Sequence, residues 1–295
     1  MMKKLLSLFF AISLTLSACG TASTQPAPPT KTEAPSVAQT SALIITPLPT
    51  LLMEDQENYI KELLKPTPGC RLPCWWGITP GKTSWQETET LLQYLGATIS
   101  TFQMESGENH YAARFQKLPE LNLSFFESNS SVNRIFVGGN LSGVQDQREF
   151  EVFWESYSPK EIMSKYGVPS RILLDTVGTL GNTNIGKHGY TLWIFYDSLG
   201  LMVRYDGNIA DEETFKFCFT LNQGANDISG IRITLQHQGY LNSLESDDSI
   251  LGSASPRGLH LQDVTGISIE KFHQLFTQVE KPYCLETPHD IWPMR

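Results

Sequence analysis

Catalytic vocabulary is sparse in these 295 residues. The six histidines are scattered singly, and His260, His273 and His289 do not sit at ligand spacing on one helix, so a helical two-histidine metal site is not encoded. Each histidine reads as a surface or satisfied core residue. Neither a Gly-x-Ser-x-Gly elbow nor a His-Glu-x-x-His pair occurs. Basic residues are also short: 22 Lys and Arg face 31 Asp and Glu, for a net charge of −9. That balance excludes nucleic acid as a partner, because phosphate-backbone affinity comes from Lys and Arg. No polybasic cluster offers a grip on an anionic membrane surface. Long apolar runs are missing too, apart from one near the start, from Leu5 to Leu16. It is shorter than the roughly 20 residues a membrane-spanning helix needs.

What is present begins with that run. Lys3 and Lys4 precede it, and Leu16-Ser17-Ala18-Cys19 closes it. A basic start, a short apolar core, small residues and a cysteine resemble the type II signal peptide of bacterial lipoproteins. The resemblance implies that residues 1–18 are removed and that Cys19 becomes the lipidated N-terminus, carrying fatty-acyl (palmitate) chains. Its first partner is then membrane lipid, held through acylated Cys19. The implied location is the extracytoplasmic side of the cell membrane or outer membrane. Loss of Lys3 and Lys4 makes the mature chain two charges more negative. Residues 19–51 are rich in Thr, Pro, Ala and Ser; such composition cannot bury a core and reads as a tether.

Four cysteines remain beyond Cys19. An even number outside the cytoplasm points to disulfides, and four cysteines allow three pairings. Cys70 and Cys74 flank a tight Arg-Leu-Pro turn, which favours local closure and leaves Cys218 with Cys284. The alternative is a four-cysteine zinc site, but the paired C-x-x-C knuckles of such sites are missing. Trp75 and Trp76 follow Cys74 directly. Neighbouring side chains of extended backbone point opposite ways. Either both indoles pack in the core, or one is exposed as an anchor for a partner or a sugar ring.

The chain then reads as alternating helix and strand signals. A helix is expected over 52–64, ended by Pro66 and Pro68. Ser84 and Glu87 have the spacing of a capping box. The helix they start carries Trp85, Leu91, Leu92 and Leu95 on one face and stops at Gly96. Strands are expected over 111–116, 121–127 and 132–137, with Asn129-Ser130 as a hairpin turn. Ser158-Pro159-Lys160-Glu161 repeats the capping signal, with proline at the first helical position. Ile162, Met163 and Tyr166 face inward and Gly167 ends that helix. Further strands are expected over 171–176, 190–196, 201–205, 215–221 and 231–236, with a turn at 197–200. A last helix covers 269–279, capped by Ser268, and 242–258 reads as a loop.

Three segments imitate known sites. Gly181 to His188 is one residue from a phosphate-binding loop, but His188 stands where the magnesium hydroxyl belongs, and a strand follows where a helix must. No nucleotide is expected, and 178–189 reads as a hairpin loop. Asp206, Asn208, Asp211, Glu212 and Glu213 have the close oxygen spacing of calcium loops but depart from the EF-hand pattern, and a solvated turn is the reading. Asp247 and Asp248 are a weaker case of the same kind. No metal and no cofactor are expected.

The fold expected is α+β: an antiparallel β-sheet with helices packed on one side, in two related helix-plus-meander units about 70 residues apart. The first unit covers 52–140 and the second 141–240, with a loop and C-terminal helix in 241–295 packed on the second. Gly77-Ile78-Thr79-Pro80-Gly81-Lys82-Thr83, the helix, and Leu95-Gly96 resemble the small outer-membrane assembly lipoprotein domain. The same unit occurs in tandem in the β-lactamase inhibitory proteins. Tyr166-Gly167-Val168-Pro169 matches the later part of the pattern, without the Gly-x-Thr lead. The resemblance implies protein binding without catalysis. The functional expectation is therefore a membrane-anchored, non-catalytic module that binds an envelope or extracellular protein. The alternatives are an envelope hydrolase or glycan-active enzyme with a Ser, His, Asp site assembled in space, and an enzyme inhibitor using the 178–189 loop.

Overall fold

A computed structural model describes residues 50–65, 69–141, 147–178, 188–211, 214–221, 228–237, 258–278 and 284–292. The export signal, Cys19, the tether up to residue 49, the glycine-rich stretch 181–187, Glu212, Glu213, and 242–257 with Asp247 and Asp248 lie outside the described residues.

Local chemistry starts and stops the elements of the first half. Helix α1 covers Met53–Leu64. Ser84 opens α2 (Trp85–Tyr94) with a complete capping box: its side chain accepts from the Glu87 amide while the Glu87 carboxylate accepts from the Ser84 amide. Two orphan amides are satisfied at once, and donation from the Ser84 amide and the Ser84 hydroxyl holds the Glu87 carboxyl below its ordinary range. Gly96 closes the helix with φ +75°. Strands β1 (Thr98–Gln103), β2 (Asn109–Phe115), β3 (Leu118–Ser128) and β4 (Ser131–Asn140) follow as an antiparallel meander. Asn129 and Ser130 turn the last hairpin with φ 54° and 62°, the positive pair that a two-residue hairpin requires. Buried Glu127 secures that turn by accepting from the Ser130 amide at 2.6 Å and from Asn109 Nδ2 at 2.7 Å.

The second half starts with α3 (Gln147–Trp154), a 3-10 turn at Glu155–Tyr157, and α4 (Pro159–Tyr166). Ser158 accepts from the Glu161 amide, so the cap expected there supports the helix start. Strands β5 (Arg171–Gly178), β6 (His188–Tyr196) and β7 (Leu201–Asp211) form a second antiparallel run. β8 (Thr214–Cys218) then leaves the main path, and β9 (Ile228–Gln236) pairs with both β7 and β4. The chain ends with β10 (Leu259–His260), α5 (Leu261–Thr265), α6 (Ile269–Gln278) and β11 (Cys284–Pro288).

One antiparallel sheet results, in the order β1-β2-β3-β4-β9-β7-β6-β5-β10, with β8 joining β7 to β11 off this path. The architecture is the α+β antiparallel sheet expected. The two meanders meet through β9, which lies between β4 and β7, so the last strand of each run is near the centre. Residues Pro47–Arg295 form one compact unit.

Alternation along the strands sorts side chains onto two faces. Ile135, Val137, Leu192, Ile194, Val203 and Ile233 face the main core, which also holds Leu92 of α2, Trp154 of α3, Met163 of α4 and Phe272 of α6. Fully burying each such side chain contributes about 1.5–3 kcal/mol. A smaller cluster of strand residues alone, Leu173, Trp193, Phe195 and Met202 with Phe136 against it, occupies the opposite face. Helices therefore cover one side. Gly139 makes room there for Trp154, whose ring lies 2.5 Å from where a Cβ would be.

Buried tyrosines tie the helical layer to the sheet. Tyr157 donates its hydroxyl to Leu64 O at 2.7 Å, and Tyr205 donates to Tyr157 O at 2.8 Å. Burial pushes the Tyr205 phenol well above its ordinary range, so it remains a donor at neutral pH.

The acidic stretch after Asp206 differs from expectation. Asp206 to Asp211 continue β7 as strand rather than turn, because Gly207, Asn208 and Ile209 pair with Tyr190, Gly189 and His188 of β6. Asp206 and Asn208 are therefore spaced along an extended strand instead of converging in a turn.

Candidate functional site: an arginine-lined cleft on the second sheet face

Both cysteine pairs close as expected: Cys70–Cys74 with Cα atoms 5.1 Å apart, and Cys218–Cys284 at 4.3 Å. Cys218 and Cys284 face each other directly in the β8–β11 ribbon. Trp75 is 2 % exposed and packs on Tyr157 at 5.5 Å. Trp76 is partly buried; its indole N–H donates to Leu63 O at 3.1 Å and its ring meets Phe115 edge-on. A void of about 20 Å³ lies beside the two indoles and the Cys70–Cys74 bridge, room for about one water.

A larger space opens on the second sheet face. A cleft of about 430 Å³ lies over β2, β3, β4, β9 and β7, lined among others by His110, Ser124, Phe126, Phe136, Asp206 and Arg232. It falls within the roughly 300–1,000 Å³ range of small-ligand sites. The pairing register builds it. Asn122, Gly138, Arg232, Arg204 and Trp193 stand in one row across five strands, since each is the partner of the next. Asn140, Gly230, Asp206 and Thr191 form the adjoining row. Glycine at 138 and 230 leaves the floor without side chains.

Three arginines on this face are engaged. Arg134 lies 4.0 Å over the Phe126 ring and meets Glu108 at 3.2 Å. Arg171 covers Phe195 at 4.1 Å and reaches Asp197 at 3.4 Å. Arg204 pairs with Asp206 at 2.8 Å, and Thr191 donates to the same carboxylate oxygen at 2.8 Å. Arg232 is different: among the described residues it makes neither a hydrogen bond nor an ion pair. Burial and the adjacent Arg204 charge weaken its hold on the proton, and Asp206 opposes them. His110 stacks on Phe126 at 4.6 Å. Burial first, and the Arg134 charge second, lower its pKa below the ordinary 6.5, which keeps the ring neutral near pH 7.

Of these cleft residues the sequence singles out Asp206 alone, and as part of a solvated turn rather than of a site. A signal existed in the period-two spacing of Arg134, Phe136 and Gly138, of Arg204 and Asp206, and of Gly230 and Arg232. It becomes a site only once the register places these strands side by side. Among the described residues no group of three His, Cys, Asp or Glu is placed to hold a metal ion, and no helix is long and apolar enough to cross a membrane. Compared with known proteins, the chain matches no family model, no curated protein and no solved structure.

Proposed function

We propose that this chain is a lipid-anchored, non-catalytic binding module. Cys19 holds it to the extracytoplasmic side of a membrane, the tether lifts the folded part clear of the lipid, and the second sheet face receives an envelope or extracellular protein. The observation that carries the reading is that face's composition. Phe102 is 54 % exposed at its β1 edge, beside stacked His110, Phe126 and Arg134. Aromatic and arginine side chains are the residues enriched where protein partners bind most tightly. The cleft's carboxylate among the described residues, Asp206, is engaged by Arg204 and Thr191, which favours binding over acid–base chemistry. The two meanders are read as related units whose shared sheet builds the face.

The test is cross-linking in the native envelope with the full chain and Phe102→Asp. An exposed edge position tolerates that change in folding. The wild type captures a discrete partner that Phe102→Asp loses, while Cys19→Ala moves the chain into the soluble fraction. Equal capture by both chains would remove the face from the proposal. Unchanged membrane fractionation of Cys19→Ala would remove the anchor.

A further inference from the structure

We infer that the cleft over Gly138 and Gly230 receives the C-terminal carboxylate of a polypeptide, paired with Arg232, with the terminal apolar side chain lodged against Phe126 and Phe136. The inference rests on the binding-module reading and specifies what that face recognises.

Charge comes first. Arg204 and Arg232 are direct partners across β7 and β9, a like-charge pairing that destabilises a sheet. Among the described residues a single carboxylate, Asp206, serves the pair, and it is bonded to Arg204. One positive charge is left over, on a guanidinium that lines an open cleft. A carboxylate matches it with two parallel N–H···O bonds. A phosphate dianion brings more negative charge than the one left-over guanidinium offsets.

The walls distinguish a peptide from a sugar. Sugar rings need a free aromatic face, but the Phe126 ring already carries His110 stacked at 4.6 Å and Arg134 at 4.0 Å. Phe136 meets Phe126 nearly edge-on, at 69°. The two rings, with Met104 nearby, make an apolar slot rather than a platform. Polar groups beside it suit a peptide backbone. Asn122 donates its amide N–H to Glu120 O, which leaves Oδ1 to accept. The Ser124 hydroxyl makes no hydrogen bond among the described residues and can donate.

The floor is open without packing need at one of its glycines. A Cβ on Gly138 would meet Ile231 O at 3.2 Å, whereas a Cβ on Gly230 would find nothing nearer than 3.5 Å. A side chain at 230 therefore fits the fold and fills the cleft.

The experiment uses the full chain in detergent and fluorescence anisotropy of a dye-labelled Gly-Ser-Ala-Leu peptide, as the free acid and as the C-terminal amide. The free acid binds, and the amide binds at least about tenfold more weakly, the loss of one charge-assisted pair. Arg232→Met and Gly230→Val each weaken the free acid by a similar factor while keeping the urea midpoint of the parent chain. Glucuronate and inorganic phosphate fail to displace the peptide. Equal binding of acid and amide, no binding of either, an unaffected Arg232→Met, or displacement by glucuronate or phosphate overturns the inference. Partner capture that depends on Phe102 is a separate readout and stands or falls on its own.

Discussion

Breaking the Cys218–Cys284 bridge offers a magnitude that the structure sets in advance. The bridge joins residues 66 apart, whereas Cys70–Cys74 spans 4. If the cross-links act by restricting the unfolded chain, the cost of removal grows with the logarithm of the closed loop. That gives about 4 kcal/mol for the long loop and about 2 kcal/mol for the short one. The native state adds little to the difference, because Cys218 and Cys284 already sit opposite each other in a paired ribbon. The assay is urea unfolding of the Cys218→Ser/Cys284→Ser and Cys70→Ser/Cys74→Ser chains, followed by tryptophan fluorescence. Trp292 reports the ribbon directly, since its indole donates to Thr287 of β11 and packs 5.8 Å from Phe217 of β8. The long-loop chain is expected to lose about twice the free energy of the short-loop chain. Equal losses, or a long-loop loss below about 1 kcal/mol, would refute loop-closure entropy as the source.

Two further predictions address the core and the second face. Tyr157→Phe removes the hydroxyl that satisfies Leu64 O and should cost about 1–3 kcal/mol, read as a lower urea midpoint with an unchanged slope. His110 is held neutral by burial and the Arg134 charge, with its folded pKa below 6.5; the unfolded chain therefore binds more protons as pH falls through 6.5. Stability should drop as pH is lowered through that value, and His110→Gln should lessen the drop; identical pH profiles for the two chains would contradict the assignment.

Parts of this architecture were legible because they are local. Ser84 with Glu87, Gly96, and Asn129 with Ser130 dictate their own backbone, and each stands where the spacing put it. The disulfide pairing was legible through elimination around a tight turn. Strand β1 was not, since five of its six residues are exposed and no alternation marks it. β11 was missed because five residues earn strand status only by pairing with β8. Asp206 to Asp211 looked like a turn from composition, while β6 on one side holds them extended. The cleft was illegible for a stronger reason. Asn122, Gly138, Arg232 and Arg204 come from four strands separated by more than a hundred positions, and nothing short of the sheet register makes them neighbours.

Adjacent glycines 138 and 139 give that register an unexpected effect. Gly139 admits the Trp154 ring from the helical side, and Gly138 lines the cleft on the other. At this point the molecule is one backbone thick, with an indole on one surface and open space on the other. Whatever enters the cleft changes the dielectric a few atoms from a buried tryptophan without touching it. Occupancy of the cleft is therefore expected to shift Trp154 emission, and a fluorescence titration reads it.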